Sequence, residues 1–145
     1  WRRCLAIPYL SRQEVAYFNP QVDEWRPELV EVEARAKRVA AQRLFVVNGE
    51  TRGVASMVEV AELAAGGRGR EGLVVVLQDL EDDVSVDGER LSASEIRDLN
   101  RGRAYLADVL RKNDIPLFSS LDDALRCVAS RIKREHGTKL PPSEQ

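Results

Sequence analysis

The sequence has little of what metal sites and disulfide frameworks require. Its 145 residues include two cysteines, Cys4 and Cys127, and one histidine, His136. The cysteines are far apart and form no CxxC pair, so we expect two reduced thiols packed as small apolar residues. One histidine leaves no usual metal-ligand set, and we expect neither a metal nor a cofactor. Reduced cysteines favour the cytoplasm, with the nucleus as an alternative.

Long hydrophobic runs and charge of one sign are also missing. No apolar run approaches the ~20 residues of a membrane span, and no secretory signal pattern is present. Basic and acidic residues number 22 and 24, for a net charge of −2. Such a balance provides no field that attracts nucleic acid polymers or anionic membranes, so we expect neither as a partner. A composition that is 43% hydrophobic and 32% charged fits one soluble globular domain.

What is present is an alternation of helical patterns with short apolar runs. Strands are predicted at 15–19, 43–48, 72–78 and 115–118, and helices at 1–14, 28–42, 54–65, 92–113 and 120–136. The order α-β-α-β-α-β-α-β-α predicts an α/β domain with a Rossmann-like parallel sheet and helices on both faces. We expect this domain to cover residues 1–136, followed by a flexible tail at 137–145. Because such sheets begin with a strand, we also expect that a first strand and its glycine-containing loop are missing from this chain.

Shorter signals locate the ends and faces of these elements. Ser92 and Glu95 form a capping box that begins the helix to 113, and Ser120 caps the last helix. The acidic segment 79–90 is predicted to be an irregular surface excursion. The helix over 28–42 has one apolar face, predicted to point inward: Leu29, Val32, Ala36, Val39 and Ala40. The last helix has a corresponding inward face: Leu121, Ala124, Leu125, Val128 and Ile132.

Three polar loops follow the predicted strands, at residues 19–25, 48–53 and 78–83. Ligands of open α/β sheets bind at the carboxyl ends of the strands. The polar and acidic groups there suit a sugar or a nucleoside. The predicted substrate-binding residues of this edge are Asn19, Gln21, Asp23, Trp25, Asn48, Arg52, Gly53 and Ser56.

The helix predicted over 54–65 carries an unusual carboxylate, Glu59. One face combines apolar residues and is predicted to point inward: Val54, Met57, Val58, Ala61, Ala64 and Ala65. Glu59 lies nearly opposite, yet the flanking positions are also mostly apolar. Two interpretations stay open: a solvated glutamate, or a carboxylate kept ionised near the helix start and able to act as a nucleophile.

Several of these segments resemble one family. The stretch TRGVASMVEVAELAAGGR, preceded by RLFVVN and followed by GLVVVL, is similar to the core motif of nucleoside 2-deoxyribosyltransferase-like proteins. YFNP at 17–20 is similar to the family's aromatic-x-Pro segment. WRRCLAIPYL and YFNPQVDEW further resemble a eukaryotic-style subgroup. The resemblance covers about residues 1–130. It implies a flavodoxin-like five-stranded parallel sheet and a homo-oligomer with active sites near subunit contacts.

The resemblance also implies cleavage of the N-glycosidic bond of 2′-deoxynucleosides or their monophosphates. By matching position, Glu59 would attack C1′ of the sugar, and a base or water would then take the sugar. The sequence departs from the family where transferases carry an aspartate and nucleotide hydrolases a serine, since Gly53 stands there. The second family aspartate is also missing at Gln42-Arg43. Asp23, Glu24 or Glu50 would have to replace the acid, or they are solvated loop carboxylates.

Further alternatives remain open for the substrate-binding residues and for the whole chain. Trp25 would stack on a base or pack against the next helix. Arg52, with the backbone of 53–55, would bind a 5′-phosphate, or it is a surface cation or pairs with Glu50. Arginines and a lysine of the long helix are predicted to form a solvated face or an oligomer contact: Arg97, Arg101, Arg103, Arg111 and Lys112. The chain is therefore predicted to be an enzyme of N-glycosidic chemistry or, alternatively, an inactive nucleotide-binding or protein-interaction module within a larger protein.

Overall fold

The computed structural model describes residues 1–22, 24, 26–67 and 70–137. The chain divides into two compact units, one of Trp1–Arg43 with Leu125–Gln145 and one of Leu44–Ala124. In chain order the elements are a π-helical turn (Arg2–Ala6), α1 (Ile7–Arg12), α2 (Glu28–Val39), β1 (Arg43–Val47), α3 (Val54–Ala65), β2 (Leu73–Leu77), β3 (Ser85–Val86), β4 (Glu89–Arg90), α4 (Ala93–Lys112), β5 (Leu117–Phe118) and α5 (Leu121–Gly137). Two of the predicted site residues, Asp23 and Trp25, and the tail from 138 lie outside the described residues.

The Leu44–Ala124 unit contains a three-stranded sheet in the order β1-β2-β5. β2 and β5 run parallel, with Val75 opposite Leu117 and Val76 opposite Phe118. The apolar run of β2 is fully buried from Leu73 to Val76, as expected for a strand covered on both faces. The predicted α/β architecture with a parallel sheet flanked by helices is therefore confirmed.

Helices α3 and α4 pack on one face of this sheet. Their shared core combines residues of both helices with β2 and the segment before β5: Val60, Ala64, Leu73, Val75, Leu106, Leu110 and Ile115. Gly102 of α4 faces Met57 of α3, and a Cβ there would lie at an ordinary contact distance, 3.7 Å, from the Cε of Met57. This packing determines which side of α3 faces the core, and it thereby sets the orientation of Glu59.

The acidic segment 79–90, predicted to be an irregular surface excursion, contains a β-hairpin. β3 and β4 pair antiparallel through Ser85–Arg90 and Val86–Glu89. Asp87 and Gly88 both have positive φ, 53° and 81°, which is the backbone of a two-residue type I′ turn. A small apolar cluster of Leu80, Val86, Leu91 and Ile96 attaches the hairpin to the first turns of α4.

The start of α4 confirms the predicted capping box. The Glu95 N–H donates to Ser92 Oγ at 3.3 Å, and the Ser92 N–H donates to Glu95 Oε2 at 2.8 Å. The last helix also begins as predicted, since the Asp123 N–H donates to Ser120 Oγ at 3.4 Å.

The strand predicted at 15–19 is wrong, because residues 15–19 form neither helix nor strand. Glu14 has a φ of 58°, and the Val15 N–H donates back to the Leu10 carbonyl at 3.0 Å. Val15, the first residue of the apolar run, therefore belongs to the end of α1, as in a Schellman motif. Tyr17 and Phe18 are exposed. The described part of the chain therefore has three strands in its parallel sheet, where the alternation predicted four and the resemblance implied five.

In the unit of Trp1–Arg43 with Leu125–Gln145, the described helices are the π-helical turn, α1, α2 and the part of α5 from Leu125. The ladder of the first helix changes from π to α at Ile7, one residue before Pro8, which has no N–H to donate. α2 has no buried residue, so its predicted inward face is wrong for this chain. In α5 the predicted apolar face is largely confirmed, with Leu125 and Val128 buried.

Candidate functional site

The loop that follows β1 is shaped by contacts among its own short polar residues. Thr51 Oγ1 donates to Asn48 Oδ1 at 3.2 Å, and Asn48 Nδ2 donates to Glu50 Oε2 at 3.3 Å. Gly49 passes so close to β2 that a Cβ would lie 2.8 Å from the Asp79 carbonyl oxygen. Asn48, a predicted binding residue, therefore lies at the carboxyl end of β1 and already uses its amide within the loop.

Gly53 ends this loop and begins α3. Its φ of 66° is left-handed, and an added Cβ would lie 2.7 Å from Cγ1 of the fully buried Val47. No side chain caps the helix, and the first helical bond runs from the Met57 N–H to the Gly53 carbonyl at 2.9 Å. The position at which the resemblance implies an aspartate thus combines a left-handed backbone with a buried neighbour, Val47, that an added Cβ would clash with.

Glu59 lies on the flank of α3, half-buried, together with Ser56 and Leu63. Spacings of three and four residues place these side chains side by side along the helix. Glu59 is six residues after Gly53, in the second turn, where the field of the first-turn N–H groups is already weaker. Among the residues predicted for the site, the structure therefore groups Ser56 with Glu59.

The predicted inward face of α3 is wrong in half of its members. Met57, Ala61 and Ala64 do pack into the core, and Val60 joins them. Val54 and Val58, however, are 51% and 64% exposed, and Ala65 is also exposed. The helix is apolar on nearly every side, so hydrophobic spacing alone does not determine which side faces the sheet.

Arg103 of α4, predicted to lie on a solvated face or at an oligomer contact, is 1% exposed. Among the described residues, its guanidinium donates to backbone carbonyls alone: Nε to Gln78 at 2.9 Å, Nη1 to Leu99 at 3.3 Å, and Nη2 to Thr51 at 2.7 Å and Asn48 at 3.5 Å. Burial lowers the pKa of Arg103, and the negative charge of Asp79 opposes that shift. The side chain connects α4 to the carboxyl ends of β1 and β2.

Gln78 makes a second connection along the same edge. Its Nε2 donates to the Ser119 carbonyl at 2.8 Å, and its Oε1 accepts from the Gly49 N–H at 3.3 Å. Its backbone N–H donates to the Val47 carbonyl at 2.9 Å. One side chain thus bridges the segments that follow β1 and β5. Sequence reasoning placed Gln78 in a polar loop and Arg103 on a solvated face or at an oligomer contact. It missed both connections because the partners are remote in the sequence.

Arg52 pairs with the hairpin and not with Glu50. Its Nη2 lies 2.7 Å from Glu89 Oε2 of β4, and its charge also contributes to lowering the pKa of Glu95. The largest cause of that lowered pKa is the hydrogen bond from the Ser92 side chain. A 5′-phosphate at Arg52 would therefore share this guanidinium with Glu89.

Asn19 and Gln21 belong to the other compact unit. The Gln21 N–H donates to Asn19 Oδ1 at 3.2 Å, which closes a local turn of the kind asparagine favours. Glu24 lies 3.4 Å from Arg26 in an exposed pair. Their contribution to a substrate site remains a prediction, as does that of Asp23 and Trp25.

A cavity of about 470 Å³ opens beside β5, and Glu59 is not among its lining residues. The lining combines apolar side chains with one cation: Leu77, Arg111, Ile115, Leu117, Phe118 and Ser119. Among the described residues, no group of three or more histidine, cysteine or acidic side chains is arranged to hold a metal ion. Within the same described ranges, no helix is long and apolar enough to cross a membrane.

Comparison with known proteins gives one match. A family model described as nucleoside 2-deoxyribosyltransferase like matches residues 1–80, which is 80 of 145 residues and more than half of the chain. The matched part includes β1, the loop with Gly53, and Glu59; it ends before Arg103. No curated protein and no solved structure matches the chain.

Proposed function

Because the chain belongs to the nucleoside 2-deoxyribosyltransferase-like family, we propose that it cleaves the N-glycosidic bond of 2′-deoxynucleosides or their monophosphates. The family match carries this proposal, since residues 1–80 include the helix with Glu59. Glu59 is the proposed nucleophile. The substrate is a small-molecule nucleoside or nucleotide, and the acceptor of the sugar is water or a second base.

The proposed reaction has two displacements at C1′ of the sugar. In the first, a carboxylate oxygen of Glu59 bonds to C1′ while the C1′–N bond breaks and its electron pair leaves with the base. The base nitrogen, or its tautomer, takes up a proton at that step. In the second, water or the nitrogen of another base attacks C1′, releases the carboxylate and gives up a proton.

Half-burial of Glu59 supports this role. A carboxylate partly shielded from water is less hydrated and a better nucleophile than a fully exposed one. Ser56, one turn earlier on the same flank, is proposed to donate a hydrogen bond to that carboxylate or to a sugar hydroxyl. Asn48, Arg52 and Gly53 are proposed to contact the substrate from the loop after β1.

The proposed acid that protonates the base comes from a loop and not from position 53. Glu24 and Glu50 are exposed carboxylates of that kind, and Asp23 remains a further candidate. Asn19, Gln21 and Trp25 complete the proposed binding set. We propose a homo-oligomer in the cytoplasm, with the nucleus as the alternative compartment.

The test is release of free base from a panel of 2′-deoxynucleosides and their 5′-monophosphates, with and without an added acceptor base. Glu59→Gln keeps the size of the side chain and removes the nucleophile, and we expect base release to fall at least about a thousandfold. Glu62→Gln is the matched control, because Glu62 is an exposed glutamate of the same helix. Its activity should match that of the unsubstituted chain.

A quenched reaction should also contain a deoxyribosyl adduct on the peptide with Glu59, detected by mass spectrometry. Base release that survives Glu59→Gln would remove Glu59 from the mechanism. If no substrate of the panel releases base while calorimetry still detects nucleoside binding, the proposed enzyme is refuted. The alternative of an inactive nucleotide-binding module then applies.

A further inference from the structure

We propose that Arg103 is a positioning residue for the loop that leads into α3. Its buried guanidinium would hold residues 48–53 against the end of β2 and so set the placement of Ser56 and Glu59. The effect on chemistry rests on the proposed function, whereas the effect on the loop does not. Arg103 lies outside the family-matched stretch of residues 1–80.

The geometry of the contacts supports a role in holding the loop. Arginine has five N–H donors in a planar fork, and Arg103 directs them at three separate segments. These are its own helix through Leu99, the end of β2 through Gln78, and the loop after β1 through Asn48 and Thr51. No shorter or apolar side chain reaches all of these carbonyls at once.

The electrostatics point the same way. In the described part of the chain the guanidinium has no carboxylate in direct contact, and carbonyl dipoles stabilise its charge. Burying a cation is costly, although the charge of Asp79 favours it, and removing the guanidinium would leave the carbonyls of Thr51 and Gln78 without this donor. Replacing Arg103 is therefore expected to disorder the loop of residues 48–53, whose carbonyls it binds, more than it destabilises the core.

The connection from Arg103 to Glu59 is short. Thr51, whose carbonyl takes the shortest bond at 2.7 Å, is two residues before Gly53. A Cβ on Gly53 would lie 3.8 Å from Arg103 Nη2, so the guanidinium borders the residue at which α3 begins. A shift of the Thr51 carbonyl therefore moves the start of the helix, and Glu59 moves with the helix as a rigid element.

The experiment compares Arg103→Met and Arg103→Lys with Arg101→Met as the matched control. Arg101 is an exposed arginine of the same helix, with a side chain 3.9 Å from Asp98. Hydrogen exchange of amides 49–56 is measured against that of β2, which reports global opening. In Arg103→Met the loop amides should exchange about tenfold faster or more, with a smaller change in β2. Arg101→Met should change neither.

Steady-state base release provides the second measurement. A misplaced carboxylate slows the chemical step, so Arg103→Met should lower kcat roughly 10–100-fold with KM changed less than about threefold. Arg103→Lys keeps the charge and part of the hydrogen bonding, and it should recover part of both effects. It also serves as the test variant if Arg103→Met does not fold.

Equal acceleration of exchange in the loop and in β2, in whichever variant folds, would make Arg103 a general stabilising residue and overturn the proposal. An unchanged kcat would overturn it as well. If the unsubstituted chain releases no base, the proposed function fails, and the exchange data alone decide whether Arg103 holds the loop.

Discussion

Replacing Gly53 by alanine tests the geometry of the loop before α3. Alanine at a left-handed φ of 66° costs roughly 1–2 kcal/mol. The added Cβ would also lie 2.7 Å from Cγ1 of Val47, which is fully buried and has little room to move. Overpacking of this kind costs roughly 1–3 kcal/mol. We therefore expect Gly53→Ala to lower the free energy of unfolding by about 2–5 kcal/mol.

Gly88→Ala separates the two contributions. Gly88 has a φ of 81°, and a Cβ there would meet nothing within 4 Å, so only the backbone strain applies. We expect that variant to lose roughly 1–2 kcal/mol. Val47→Ala removes the atom that Gly53→Ala would clash with, at the cost of a cavity. The double variant should therefore be more stable than the sum of the two single losses by about 1 kcal/mol or more.

The assay is urea unfolding followed by circular dichroism, with the free energy extrapolated to water and the m-value compared among variants. A loss in Gly53→Ala no larger than that in Gly88→Ala would refute the contact with Val47. Strict additivity of Gly53→Ala and Val47→Ala would refute it independently.

Three further predictions concern the same unit. The pKa of Glu95 is lowered from 4.5, chiefly by the Ser92 side chain. The contribution of the ionised Glu95 to stability is therefore present above the ordinary carboxyl range and is lost as pH falls through the lowered folded pKa. Glu95→Gln should destabilise the chain at pH 7, and the difference in urea midpoint should disappear in acid. Breaking the partly exposed Arg52–Glu89 pair by Glu89→Gln should cost no more than about 1 kcal/mol, decreasing with added salt in the same assay. Leu110→Ala, in the fully buried core of α4, should cost about 2–5 kcal/mol in urea unfolding, and a loss below 1 kcal/mol would contradict its core position.

Local rules predicted the parts of this fold that depend on neighbours in the sequence. The capping box at Ser92 and Glu95 needs only residues three apart, and the buried strand β2 needs only a continuous apolar run. Hairpin β3–β4 also had a local signal in Asp87-Gly88. Its acidic surroundings led to the prediction of an irregular excursion, although Leu80 and Val86 of the apolar cluster beneath it lie in the same segment.

Long-range contacts explain what the sequence could not predict. The acceptors of the Arg103 side chain include carbonyls 25, 52 and 55 residues away, at Gln78, Thr51 and Asn48. A prediction from helical spacing considers only residues three or four apart, and it therefore treats such an arginine as a solvated charge. The same limitation applies to α3, where apolar residues surround the helix and only the packing of α4 determines the inner side.

The left-handed backbone of Gly53 and the hydrogen bond from Arg103 to Thr51 belong to one loop conformation. Turning the Thr51 carbonyl toward the guanidinium goes together with a left-handed residue at 53, and that residue then lies against Val47. Aspartate tolerates a left-handed φ better than most residues, so the backbone angle alone would not exclude it. The clash of a Cβ with Cγ1 of Val47, at 2.7 Å, is what disfavours aspartate here. An acid at position 53 is therefore disfavoured by how this loop folds, and under the proposed function the proton for the base would come from another loop.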